Sequence, residues 1–369
     1  MSGTRGSLGA TVFPALALLT AAVFSFGEDW LLLIPPGLMY APYVVAAILV
    51  IGSVFATLEH AEVVGVRVGE PYGTLVLTIA VTIIEVAIMA SMIEHGADDP
   101  TEAREAVFSA IMIVCNGLVG LCLLLGGFRH GEQELQQMGA SAYLAVLIAL
   151  SVLTLILPDY TISSSGPTLT HSQLYFISTL SVVLYGAFLF IQTVRHRSYF
   201  LDARTAALGH RESRPSVRST SMAMLGLCAS LLGVTILAEQ VVPAMEDGLA
   251  FLGVKNSNAV AGAALATLVL LPESLNSIRA AARNALQTAL NGALGSVVAT
   301  IGLTVPAISV LAAIKGHDIV FGLEKRDSVM LMLTLMLSIV SFGAGRTNVL
   351  TGLVHLVVFA TYAFLLIVP

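Results

Sequence analysis

Apolar runs of about 20 residues follow one another along almost the whole chain, and they limit what it can fold into more than any other feature. At 1.5 Å per residue such a run crosses the ~30 Å hydrocarbon core of a bilayer. Backbone in hydrocarbon must satisfy its own hydrogen bonds, so runs of this length read as helices. Bounded by charge, Pro and Gly, they fall near residues 11–26, 40–58, 72–94, 107–127, 141–157, 173–194, 221–242, 258–280, 289–313, 328–344 and 349–368. The reading is an all-α polytopic membrane protein with eleven transmembrane helices. Only 11% of residues are charged, against about 25% in a soluble domain, and no stretch is left for a large soluble domain. The first run follows Arg5 but lacks a small-residue cleavage site, so it reads as a retained helix. Cys115, Cys122 and Cys228 all fall inside predicted spans without zinc-site spacing and read as packing residues. The net charge of −6 gives no nucleic-acid signal.

The one long polar stretch is "RHRSYFLDARTAALGHRESRPSVRST", residues 195–220, with six Arg against two acids. The positive-inside rule puts it in the cytoplasm. That assignment places twelve Lys and Arg inside and five outside: Arg104, Lys255, Lys315, Lys325 and Arg326. It predicts a cytoplasmic N-terminus and an external C-terminus, although the cluster at 315–326 runs against the rule. The chain divides into an N-terminal helix (1–30), five spans (31–194), the basic linker (195–220) and five more spans (221–369). Two odd-numbered sets must start on opposite sides of the membrane, which is the arrangement of inverted-repeat transporters. Each set has a carboxylate near the end of its first helix, Glu59 and Glu239, and another within its second, Glu85 and Glu273.

Glu85, in "VTIIEVAIMA", sits in the middle of a hydrocarbon-like run. A charge near the bilayer centre costs at least ~2.5–3.5 kcal/mol, so such residues face a cavity or a partner and mark a pathway. The alternative is a protonated Glu hydrogen-bonding between helices. Glu273 lies in "ALATLVLLPESLNSI", where Pro272 removes a backbone donor and predicts a kink or break beside the acid. Carbonyls freed at membrane depth, together with carboxylates, are what hard cations bind. Burial disfavours the charged form of a carboxylate and a nearby cation restores it. A site of this kind holds protons or a cation and seldom both, and that competition couples the two fluxes.

Neutral oxygens accompany both acids. Thr78 and Thr82 precede Glu85; Ser274, Asn276 and Ser277 follow Glu273; Ser109 and Asn116 lie in the helix after the first acid, and Ser296 and Thr300 in the helix after the second. For each of them, interhelical packing is the competing reading. Gly292 and Gly295 permit close helix approach. Glu59, His60 and Glu62 crowd a helix end, which reads as a solvated membrane-edge cluster or an ion entrance and is not an HExxH zinc motif. Glu239, in "ILAEQVV", reads as deeper, and His355 as a satisfied buried histidine. No Ser/His/Asp or zinc-spaced set supports an enzyme.

"FATLEHAEVVGVRVGEPYGTLVLTIAVTIIE", "YGAFLFIQTVRHRSYF", "LAEQVVPAMEDGLAFLGVKNSNAVAGAALATLVLLPES", "GSVVATIGLTVP" and "GRTNVLTGLVHLVVF" resemble, in order, segments of the cation/proton exchanger family of the calcium/cation antiporter superfamily. The resemblance is strongest to its bacterial ChaA-type branch, which exchanges sodium, potassium and calcium for protons. It implies an N-terminal helix plus two inverted five-helix repeats, with Glu85 and Glu273 alternately holding cation and protons and Glu59 and Glu239 on the approach paths. It also implies a bacterial inner-membrane location, inorganic cations and protons as partners beside the lipid bilayer, and no cofactor beyond the transported Ca²⁺, Na⁺ or K⁺. The chain departs from the wider family at three places. The Gly-Asn pair before each acid reads Val81-Thr82 and Val269-Leu270, a Gln falls on Ala299, and the linker is basic rather than acidic. Fewer amide ligands suit a broader specificity that includes sodium or potassium. A cation channel and a membrane-embedded enzyme are the rival classes; oligomeric state is not readable.

Overall fold

The computed structural model describes residues 8–25, 35, 38–69, 72–95, 100–162, 166–200, 215–254, 257–316 and 319–368. Eleven helices organise them: α1 Leu8–Ser25, α2 Ala41–Val68, α3 Tyr72–His95, α4 Glu102–His130, α5 Gln137–Tyr160, α6 His171–Arg195, α7 Val217–Phe251, α8 Ser257–Ala282, α9 Leu286–Lys315, α10 Lys325–Gly343 and α11 Val349–Ile367. Nine of these are long and apolar enough to cross a membrane; the apolar parts of the other two, Gly9–Ser25 and Val76–Ser91, are shorter. Most of the basic linker, residues 201–214, lies outside the described residues.

Helix ends carry the expected local chemistry. Thr170 and Gln173 form a reciprocal capping box at the start of α6. Ser216 and Asn348 accept from the amides of Ser219 and Thr351 to start α7 and α11. Gly316, left-handed at φ 75°, closes α9. The one β ladder among the described residues is a short antiparallel pair, Gln133–Glu134 with Arg346–Thr347.

The chain forms two compact units that cut across the sequence repeats. One holds α1, α2, α3 and α7, the other α4–α6 and α8–α11. In the first, His60 Nε2 donates to the Ala10 carbonyl at 2.9 Å, tying α2 to α1. A Cβ on Gly226 of α7 would strike that imidazole. His60 is therefore an interior tie between three helices, not the solvated edge group expected from its neighbours. Glycine also sets the α1 contacts, since Gly52 accepts the Phe13 ring and Gly233 lies against Ala17.

In the second unit α4 is the most enclosed helix, apolar on nearly all sides. The segment "YGAFLFIQTVRHRSYF", residues 185–200, acts here as a clasp. Phe188 and Phe200 pack on the fully buried Tyr143, whose hydroxyl accepts from Gln192 Nε2 at 2.6 Å and donates to the Asn291 carbonyl. Asn291 Nδ2 in turn donates to the Phe200 carbonyl. Gly302 of α9 leaves room for Tyr185. Where α11 crosses α4, Gly352 has no space for a side chain: a Cβ there would lie 2.6 Å from Leu124 N and 2.9 Å from the Gly120 carbonyl. Those are backbone atoms and cannot swing aside, so Gly352→Ala forces the helices apart. Overpacking of this kind costs about 1–3 kcal/mol, and a lowered thermal unfolding midpoint in detergent is the expected outcome.

Candidate functional site

Glu85 lies on the buried stripe of α3 formed with Val81, Ile84 and Ile88, and is 7% exposed. This spacing, i, i+3, i+4, i+7, is one helix face, and the first unit packs α3 against α2 and α7. Thr78 and Thr82 are half-buried, two turns and one turn before it. Ser91, further along α3, donates to the Ala238 carbonyl of α7 at 3.1 Å. Glu59 is half-buried at a groove of about 310 Å³ between α1 and α2, lined also by Phe13, Gly52 and Phe55. Glu239, expected to sit deep, is exposed. Pro243 one turn later has no N–H for the Glu239 carbonyl.

Glu273 belongs to the second unit, so the two acids fall in different units and each is described in its own. The break expected at Pro272 is absent, because α8 continues through it to Ala282. Pro272 still leaves the Leu268 carbonyl without its usual intrahelical donor. Asn276, expected beside the acid, points to the exposed side, and Ser274 is half-buried. Ser277 is the buried oxygen, 2% exposed, one turn after Glu273 on the same face.

A feature with no signature in hydropathy appears in the helix after each acid. A π-helical turn runs over Ile113–Leu118 in α4 and over Thr300–Thr304 in α9. The first begins 28 residues after Glu85 and the second 27 after Glu273; in each, a serine stands four residues before the turn, Ser109 and Ser296. This matches the two halves far better than their carboxylate spacing. π-turns cluster at functional sites because the widened turn loosens the backbone hydrogen-bond ladder. Further π-turns end α5 at Val152–Ile156 and α6 at Ile191–Arg195.

Three of the expected oxygens have defined partners. Ser109 accepts from the Tyr362 hydroxyl at 2.7 Å. Thr300 donates back to the Ser296 carbonyl at 3.1 Å. Asn116, in the first π-turn, joins a one-way chain of buried donors: Ser341 Oγ donates to His355 Nε2 (2.9 Å), His355 Nδ1 to Asn116 Oδ1 (3.3 Å), Asn116 Nδ2 to Thr334 Oγ1 (2.7 Å) and Thr334 Oγ1 to the Met330 carbonyl (2.8 Å). The neutral imidazole with its proton on Nδ1 satisfies every link. His355 is thus a satisfied buried histidine, as its setting in the sequence suggests, and the chain binds α4, α10 and α11 together.

Charge gathers at the start of α4 and α10. Arg104, 5% exposed, pairs with Glu105 at 2.6 Å and donates to the Gly322 carbonyl; Arg326 pairs with Asp327 at 2.9 Å. Of the cysteines, Cys115 and Cys122 are buried, while Cys228 is exposed rather than packed. No group of three or more His, Cys, Asp or Glu able to hold a metal occurs among the described residues.

A buried acid, Glu85, and a half-buried one, Glu273, on apolar helices, each followed by a serine and a π-turn, define a polytopic helical membrane protein of the ion-exchanger class. The sequence profile of the sodium/calcium exchanger protein family matches residues 40–194 and 222–368, and the chain belongs to that family. It is 43% identical over 325 residues to the putative ionic transporter y4hA of Sinorhizobium fredii, covering 87% of each chain. It is 34% identical over 364 residues to the sodium-potassium/proton antiporter ChaA of Escherichia coli, covering 97% of this chain and 96% of that one. Its fold is that of native YfkE (TM-score 0.72, 16% identity, 98% of this chain and 100% of the other) and of the H⁺/Ca²⁺ exchanger CAX (TM-score 0.66, 10% identity, 98% and 89%). The chain is an exchanger-type transporter of an integral membrane family.

Proposed function

We propose that this transporter is a secondary antiporter that moves Ca²⁺, Na⁺ or K⁺ out of the cell in exchange for protons by alternating access. Glu85 and Glu273 bind cation and protons competitively, Ser109, Ser296 and the threonines Thr78, Thr82 and Thr300 supply neutral oxygens, and Glu59 and Glu239 serve the approach paths. The observation that carries this reading is the repetition of acid, serine and π-turn at nearly equal spacing in the two halves, with Glu85 buried and Glu273 half-buried. It fits a site built twice, and the relative ChaA exchanges sodium and potassium for protons. A neutral or cation-loaded carboxylate is the form that can be re-exposed across the membrane without a bare charge, which is why exchange needs no covalent step.

The chain is proposed to lie in a bacterial inner membrane with its N-terminus inside. Arg104 and Arg326, on the external side in this orientation, are paired with Glu105 and Asp327. Reconstituted liposomes test the mechanism. Flux that saturates with cation and stops without a counter-gradient is expected; unsaturated flux without counter-ions contradicts antiport and indicates a channel.

A further inference from the structure

Ser277 is the buried hydroxyl of α8 that does nothing visible. Thr57, Ser181, Ser309 and Ser338, all buried, satisfy their hydroxyls by donating to the carbonyl four residues earlier, whereas Ser53, Ser151 and Thr154 are buried without a hydrogen bond. Ser277 Oγ makes no hydrogen bond although it is sealed from solvent. It points instead across the α8–α9 hairpin at Gly292, 2.9 Å from where a Cβ on that glycine would sit. Apart from that oxygen, no described side chain or neighbouring helix lies within 4 Å of the position.

The hairpin's register connects this space to the acid. Helices α8 and α9 are joined by the tight turn at Arg283–Ala285, where Asn284 is left-handed at φ 59°. Ser277 faces Gly292; Glu273 stands one turn before Ser277 on its face of α8, and Ser296 one turn after Gly292 on its face of α9. Ser296 Oγ is likewise buried without a hydrogen-bond partner. On the other side of Glu273 the facing residues of α8, Val269 and Leu270, are apolar and buried, so neutral oxygens adjoin the acid only on the Ser277 side of this helix. Leaving a buried hydroxyl without a partner is costly, a cost that a bound ion or its water relieves.

We propose that Ser277 Oγ and the side-chain-free surface of Gly292 form a cation subsite adjoining Glu273, taking an alkali or alkaline-earth ion through a neutral oxygen, directly or across one water. This rests on the antiport reading for its transport readout, while cation binding to the purified protein tests it separately.

Ser277→Ala is expected to raise the apparent KM for the exchanged cation at least fivefold, with Vmax falling less than twofold. The cation-induced rise in the thermal unfolding midpoint of the purified protein should shrink in parallel. Gly292→Val, which fills the space, should do the same. An unchanged KM and an unchanged cation-induced midpoint shift in Ser277→Ala overturn the subsite. Should Ser277→Ala fail to fold, Ser277→Cys in a Cys228→Ser background decides. A thiol one turn from a carboxylate is a soft-ion site, so micromolar Cd²⁺ should inhibit exchange reversibly, and insensitivity to Cd²⁺ overturns the proposal. A wild type that binds cations but exchanges none would refute the antiport reading and leave the subsite standing.

Discussion

Glu273→Gln and Glu85→Gln are each expected to reduce cation-stimulated proton release to the level of vesicles lacking the protein. Gln keeps the size and hydrogen-bonding capacity of a protonated Glu, so the helices should still pack. What is lost is the exchangeable proton and the negative charge that a cation needs. A carboxylate buried at this depth is costly to keep charged without a partner, so the neutral variants should unfold at the same temperature as wild type or higher. That combination, stable protein without exchange, separates a transport role from a packing one. Glu→Asp at either position keeps the charge but shortens its reach by one methylene, and slow residual exchange is expected. Normal rates in both Gln variants would remove these residues from the mechanism.

His355→Leu carries the largest expected loss of stability. The imidazole is fully buried and joins Ser341 to Asn116. A leucine fills most of its volume but leaves the Ser341 hydroxyl and the Asn116 carbonyl oxygen without their shared partner. Each orphaned buried group costs about 1–3 kcal/mol, and the two lie in one network, so their losses do not simply add. The Asn116 amide is also what fixes the π-turn of α4 against Thr334 of α10. Lowered yield in detergent and a depressed unfolding midpoint are the measurable results, with partial recovery in His355→Gln. A variant as stable as wild type would show that the chain is not structural.

Hydropathy made the helices legible because a bilayer demands long apolar runs. The run near 289–313 is α9, Leu286–Lys315, and that near 349–368 is α11, Val349–Ile367. The interruptions within helices were not legible. Pro272, which carries a recognised helix-breaking signal, leaves α8 continuous, because a proline loses one hydrogen bond and its neighbours hold the rest of the helix in place. The π-turns carry no such signal: "IVCNGL" and "TIGLT" are apolar and small, and a one-residue widening of a helix changes no hydropathy window.

Site residues divide in the same way. Glu85 and Glu273 stand out because a carboxylate in an apolar run has few reasons to be there. Choosing among the oxygens after Glu273 required helical phase. Ser277, four residues on, shares the acid's face, whereas Asn276, with the more obvious ligand chemistry, lies on the exposed side. Glu239 and His60 were misplaced in depth for a tertiary reason. Burial on a membrane helix depends on which neighbour covers it: α1 supplies a carbonyl to His60, while Glu239 is left exposed.

The central claim is that cations and protons compete for the same membrane-buried carboxylates. Dye-monitored proton release from acidified inside-out vesicles, titrated with Ca²⁺, Na⁺ and K⁺ separately at several external pH values, tests it most directly. The account predicts saturable release with Na⁺ or K⁺ as well as Ca²⁺, with the cation concentration for half-maximal release rising as external pH falls. Half-maximal concentrations that do not move with pH would contradict competition at a shared site, and a response to calcium alone would contradict the broad specificity.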